Sequence, residues 1–410
     1  MGKKLLVAQS GGPTSAINAT LAGIIEAAIQ NPEVSDVLGA RYGIQGVLRE
    51  QFLDLSGIEH IEDMLATLAV TPAAALGSCR FKLKDPAQDP SEFEELIRIF
   101  QKHEIGYFVY IGGNDSMDTV WKLSDYIKEH HIPDIVVVGA PKTIDNDLYG
   151  IDHCPGFGSA AKYIATSISE LERELEVYDT PYVIVVEMMG RNAGWLTAAA
   201  ALAESANSNV PYLIYLEERP FDLNDFISDL RGELAVGKDV IVAISEGIRD
   251  RSGKMICDYA DRDQSTDAFG HTIATGAGKV LENAIRSNIG CKVRYIELNL
   301  LQRCAGHLLS ETDITESTEL GRNAVRLAVD GQNGVMSTLT RTSNQPYSVA
   351  YGAADIADIA DREKKVPDSW ITSEGNGVTE EMLEYLRPLV QGERSCKFEN
   401  GIPKYVVFDK

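Results

Sequence analysis

Short apolar runs rich in β-branched residues alternate along the chain with amphipathic stretches, a pattern that predicts parallel strands covered by helices on both faces. LLVAQS (5–10) leads through a glycine turn into SAINATLAGIIEAAI (15–29), whose apolar residues recur at helical spacing. YFVYIGG (107–113) is followed by the helical SMDTVWKLSDYIKEHH (116–131) and then by a further strand, DIVVVGA (134–140). A second series begins with YVIVVEMMG (182–190), followed by a predicted helix over NAGWLTAAAALAES (192–205), then YLIYLEE (212–218), an amphipathic segment and DVIVAISEG (239–247). Two tandem αβ units result. VRYIELNLL (293–301) and the helical ESTELGRNAVRLAVDG (316–331) follow, and their pattern does not assign them to either sheet. No fixed-period repeat separates the halves, so the glycine-rich CPGFGSA (154–160) is the best candidate for a crossover between them.

Composition narrows the class. A chain of 410 residues with 44% hydrophobic and 24% charged residues is long enough for two or three packed domains. Its formal net charge of -23 and lack of a basic run argue against a nucleic-acid partner. Any anion it handles must be held by local cations or a metal. The six cysteines show no zinc-type spacing and suggest a reducing cytoplasm, and MGKKLLVAQS has too short an apolar segment for a signal peptide. No apolar run approaches the roughly 20 residues of a membrane helix.

In doubly wound folds chemistry gathers beyond the carboxyl ends of strands, and four such ends here carry unusual residues. SGGPTSA presents Gly11 and Gly12 with Ser10, Thr14 and Ser15 at the start of a helix, which suits either an anion or a helix cap. IGGNDS presents Gly113, Asn114, Asp115 and Ser116, and APKTIDND presents Lys142, Thr143, Asp145 and Asp147. Acids at alternating positions of an extended loop can point the same way. One can hold a hard cation while another accepts a proton from a hydroxyl. A lone aspartate in a loop is usually a turn or cap residue, but that reading must here explain three acids, a lysine and a glycine pair at two strand ends. The fourth end, VVEMMGRNAGW, offers Arg191 to a phosphoryl oxygen, with a surface ion pair as the ordinary alternative. LGSCRFKLKD adds Arg80, Lys82 and Lys84, AISEG adds Glu246, and LLQRCAGH adds Arg303 and His307.

Taken in this order and spacing, GGNDS, PKTIDND, MGRNAGW, SEG and LLQRCAGH resemble the phosphofructokinase family over about three quarters of the chain. The resemblance implies two Rossmann-like, three-layer αβα domains with the active site between them. Residues 1–156 with about 312–370 would form the phosphoryl-donor domain, and 157–311 with about 371–410 the sugar-phosphate domain. It also implies reversible transfer of phosphate to the 1-hydroxyl of fructose 6-phosphate in glycolysis and gluconeogenesis, with Mg²⁺, in a cytoplasmic homodimer or homotetramer. By matching position, Asp145 looks like the general base, Thr143 its neighbour at the substrate, and Asp147 part of the catalytic and metal region. Met189, Gly190, Arg191 and Glu246 resemble sugar-phosphate contacts, and Arg303 resembles the arginine that holds the 6-phosphate. Members that use ATP carry GGDGS and PGTIDND, whereas this chain has an acid at 115 and a lysine at 142, like members that use pyrophosphate. Asp115 would oppose the α-phosphate of ATP by bulk and charge, and Lys142 would balance the short donor. The segment KKVPDSWITSEGNGVTEEMLEYLRPLV (364–390) resembles the same branch. Asn114 departs from a family aspartate linked to magnesium, so the resemblance leaves the metal to Asp115 and Asp147. An ATP-dependent kinase of the same fold and a noncatalytic sugar-phosphate sensor are the alternatives.

Overall fold

A computed structural model describes residues 2–57, 61–204, 210–237, 239–260, 276–360 and 362–408. The first sheet is built from β1 (Lys3–Gln9), β2 (Val34–Ala40), β3 (Phe52–Asp54), β4 (Ile105–Gly112) and β5 (Val136–Pro141). The second contains β6 (Tyr182–Met188), β7 (Tyr212–Tyr215), β8 (Asp239–Ser245) and β9 (Lys292–Glu297). After the two-residue β10 (Leu309–Ser310), the hairpin β11 (Val335–Asn344) and β12 (Tyr347–Asp355) returns to the first sheet. Its order is β12-β11-β5-β4-β1-β2-β3, and that of the second is β7-β8-β6-β9. All pairings in the second sheet are parallel, as are those from β11 through β2 in the first.

Strand order decides where a site can form. The chain leaves β1 for β2 on one side and returns to β4 on the other, which opens a crevice beyond the carboxyl ends of β1 and β4. Neighbours on both sides of β6 create the same opening in the second sheet. The strands β4, β6 and β8 are buried along their whole length, which is why they read as unbroken apolar runs instead of alternating ones.

CPGFGSA serves as the crossover. Gly156 takes φ 99° and starts the helix Phe157–Leu175, which carries the chain from the first sheet to the second. The predicted helix over 192–205 is corrected. A single turn at Trp195–Ala198 tightens into a 3-10 helix at Ala199–Ala203, and Ser205 lies outside the described residues. These alanines are buried against the helix Phe157–Leu175, and side chains this small let the backbone pack closely without a regular amphipathic face. VRYIELNLL is strand only to Glu297 and joins β6, while ESTELGRNAVRLAVDG lies within the longer helix Glu311–Val329, packed on the helix Ile17–Gln30 of the first half. Among C-terminal residues, Met382, Tyr385 and Leu386 join the core of the second sheet, whereas Cys396, Val406 and Phe408 pack against the first. Among the described residues no helix is long and apolar enough to cross a membrane.

Candidate active site

The carboxyl ends of both sheets open onto one cavity of about 570 Å³. From the first sheet it is lined by Gly11, Gly12, Arg80, Gly113, Asn114, Asp115, Ser116, Lys142, Thr143, Asp145 and Asp147. Met189, Arg191, Glu246 and Arg303 line it from the second. Of the residues that the resemblance assigns to the site, Gly190 is the one absent from this lining. It takes φ 110°, its carbonyl accepts a 2.5 Å hydrogen bond from the Ser245 hydroxyl, and it shapes the turn from behind. Of the basic cluster only Arg80 reaches the cavity wall. Lys82 approaches Asp115 at 3.9 Å, and Lys84 pairs with Asp89 at 2.6 Å. His307 stacks edge-on against Tyr163 and is not a lining residue.

On the first-sheet side glycine turns stand among short polar and charged side chains. At the end of β4 a Cβ on Gly112 would lie 1.9 Å from Ser116 Oγ and 2.6 Å from Ser10 Oγ, so only glycine lets the two serines meet. Those hydroxyls are 2.5 Å apart and tie the β1 turn to the helix Asn114–Glu129. Lys142 is 2% exposed and donates from Nζ to Gly12 O at 2.6 Å. Burial pulls its pKa down to about 8, opposed by the Asp145 charge.

The loop after β5 aims its acids as their alternation predicts. Asp145 and Asp147 both face the cavity, while Asn146 between them, at φ 56°, is fully buried behind the loop. Thr143 Oγ1 accepts from Asp145 N at 3.1 Å and so fixes the bend. Burial, then the neighbouring Asp147, pushes Asp145 up to about 7, while Lys142, Arg303 and Arg191 pull it back. Burial also raises Asp147, whose carboxylate accepts from Asn114 Nδ2 at 3.2 Å. Asn114 Oδ1 is buried with no hydrogen-bond partner.

The second-sheet side presents long side chains. Arg303, on the one-turn helix Leu301–Cys304, reaches across far enough that a Cβ on Gly12 would meet its Nη1 at 3.0 Å. Burial, then Arg80, lowers its pKa. Arg191 Nε is buried without a hydrogen-bond partner. Burial, then the charge of Asp145, lifts Glu246 to about 8.

Sequence reading missed Glu363 and Asn192, which also line the cavity and are joined by a 2.7 Å hydrogen bond from Asn192 Nδ2 to Glu363 Oε1. Glu363 comes from an irregular C-terminal stretch and reaches the site through an isolated bridge to Leu148, so no local motif marks it. Among the described residues no group of three or more His, Cys, Asp or Glu side chains could hold a metal. The oxygen donors at hand are the Asp147 carboxylate and the unpartnered Asn114 Oδ1, with Asp115 on the next position of the helix. A set of this kind fits a hard divalent cation that keeps several waters.

The family model for phosphofructokinase matches residues 4–328. A protein of Xanthomonas campestris pv. campestris named pyrophosphate–fructose 6-phosphate 1-phosphotransferase is 42% identical over 406 residues, 98% of this chain and 95% of that protein. One of the same name from Halomonas elongata is 40% identical over 97% of this chain and 94% of its own length. Among solved structures, the pyrophosphate-dependent phosphofructokinase of Nitrosospira multiformis superposes with a TM-score of 0.89 at 36% identity, covering 99% of this chain and 96% of that one.

Proposed function

Because the chain belongs to the phosphofructokinase family, we propose that it catalyses reversible transfer of a phosphoryl group from pyrophosphate to the 1-hydroxyl of fructose 6-phosphate, releasing orthophosphate. One observation carries this reading. Asp145 is buried where the donor-side cation Lys142 and the sugar-side cations Arg191 and Arg303 all act on it. A base in that position can take the proton of a hydroxyl as its oxygen attacks a phosphorus held opposite.

Each half contributes its own part. The backbone turns at Gly11–Gly12 and Gly113, with Arg80, Ser116 and Lys142, cradle the short donor. Asp115 occupies space that a nucleotide would need beyond the second phosphate, and its bulk and charge disfavour one. Arg303 and Arg191 grip the 6-phosphate through charge-assisted hydrogen bonds, while Met189 and Glu246 border the sugar. Thr143 sits beside the transferred group. Asp147, Asn114 and Asp115 would hold Mg²⁺, which when bound neutralises charge on the transferred phosphate.

The chain divides in this reading into a donor half, 1–156 with about 312–370, and a sugar half, 157–311 with about 371–410, the last residues of which pack back on the donor half. A cytoplasmic homodimer or homotetramer is the assembly we assign. The test is turnover of fructose 6-phosphate by the purified protein with pyrophosphate or ATP as donor. Efficient use of pyrophosphate supports the reading; preference for ATP converts it to an ATP-dependent kinase, and no turnover leaves a sensor.

A further inference from the structure

Behind the acids that face the cavity, the catalytic loop is held by a residue to which no role has been given. Lys364 donates from Nζ to Asn146 Oδ1 at 3.1 Å, Ile151 O at 3.3 Å and Asp152 O at 2.6 Å. Its backbone N–H donates to Asp147 O at 2.7 Å. Its carbonyl accepts from Trp195 Nε1, on the sugar half, at 2.9 Å. One residue therefore ties both ends of the loop from 146 to 152 to the opposite half of the molecule. Tyr385 completes the arrangement: its hydroxyl accepts from Asn146 Nδ2 at 2.8 Å and donates to Asp152 O at 2.8 Å. Asn146 Oδ1 accepts a second bond, from Cys154 N at 3.0 Å, so both ends of the amide are engaged.

We propose that Lys364, seconded by Tyr385, is a positioning residue that sets Asp145 and Asp147 against the sugar half. The inference rests on the phosphotransferase reading above. Neither residue lines the cavity, so neither touches a substrate. The loop is irregular between β5 and the helix Phe157–Leu175 and has no sheet partners beyond isolated bridges at Thr143 and Leu148. Its placement falls to side chains. Asn146 alone would not hold it, since a left-handed residue with an unmet amide can rotate into other turn geometries. Fixing Asn146 from two directions locks the alternation that sends its two neighbours forward.

A misplacement of the reacting groups by about 1 Å can cost about 100-fold in rate. Lys364→Met keeps the length of the side chain but leaves its acceptors unmet, and Tyr385→Phe removes one hydroxyl and keeps the ring. Both are compared with the unaltered protein, with donor and fructose 6-phosphate varied separately and using whichever donor the unaltered protein accepts. The expected result is a fall in kcat of about 100-fold for Lys364→Met and about tenfold for Tyr385→Phe, with both KM values within about threefold. Loss of activity that merely follows the folded fraction in thermal unfolding, or a rise in KM at constant kcat, overturns the proposal. So does unchanged kcat in a folded Tyr385→Phe if Lys364→Met fails to fold. If the unaltered protein accepts no donor, the phosphotransferase reading itself falls and takes this inference with it.

Discussion

The two halves that meet at the cavity line it with different kinds of group. The first sheet brings glycine turns, with hydroxyls packed so closely that a methyl group at 112 would collide and a lysine sunk to 2% exposure beneath them. The second brings side chains, with Arg191 and Glu246 projecting from the irregular segments after β6 and β8 and Arg303 from the one-turn helix after β9. A backbone cradle suits pyrophosphate, which offers only phosphate oxygens and needs a compact, rigid complement. A sugar phosphate has one charged end and several hydroxyls, and separate side chains can be placed for each. The halves should therefore fail differently when altered, and Asp145 between them should fail for both substrates at once.

Asp145→Asn removes what the halves share. Turnover is expected to fall by about 100-fold to 10,000-fold, with binding of fructose 6-phosphate retained in calorimetry. Near-normal turnover would reject the base assignment. Arg303→Ala should affect the sugar side alone, raising KM for fructose 6-phosphate about tenfold to a hundredfold, the size of a lost charge-assisted contact, while KM for pyrophosphate moves little. A fall in donor affinity alone would reverse the map of the site. On the donor side, Gly112→Ala should cost about 1–3 kcal/mol in unfolding experiments through the crowding of Ser116 and Ser10, and raise KM for pyrophosphate before that for the sugar. Equal changes in both constants would blur the division.

The same contrast explains what was legible in the sequence. First-sheet residues follow long buried strands in unbroken motifs, so IGGNDS and PKTIDND announce the turns that line the cavity. The alternation of Asp145 and Asp147 around Asn146 also emerged from spacing alone. What stayed hidden is assembled from distant segments. Glu363 and Lys364, from an irregular stretch, and Tyr385, from the short helix Glu380–Leu386, reach the loop from more than 200 positions later. The hairpin β11–β12 escaped notice because its outer half is largely solvent-exposed and polar, so no apolar run marks it. The alanine-rich segment after Gly194 reads as a regular helix, yet tight burial winds most of it as 3-10 turns.

Asp115 is where the comparison is most exposed. It is half-exposed, and its ion pair at 3.9 Å is with Lys82 instead of Lys142, so its influence on the donor should be modest, about 1 kcal/mol. The direct measurement is the ratio of kcat/KM for pyrophosphate to that for ATP in Asp115→Gly and in the unaltered protein, at saturating fructose 6-phosphate and fixed free Mg²⁺. If the first-sheet side selects the donor, the ratio moves toward ATP by roughly fivefold while KM for fructose 6-phosphate stays put. A folded variant whose ratio does not move would contradict the account.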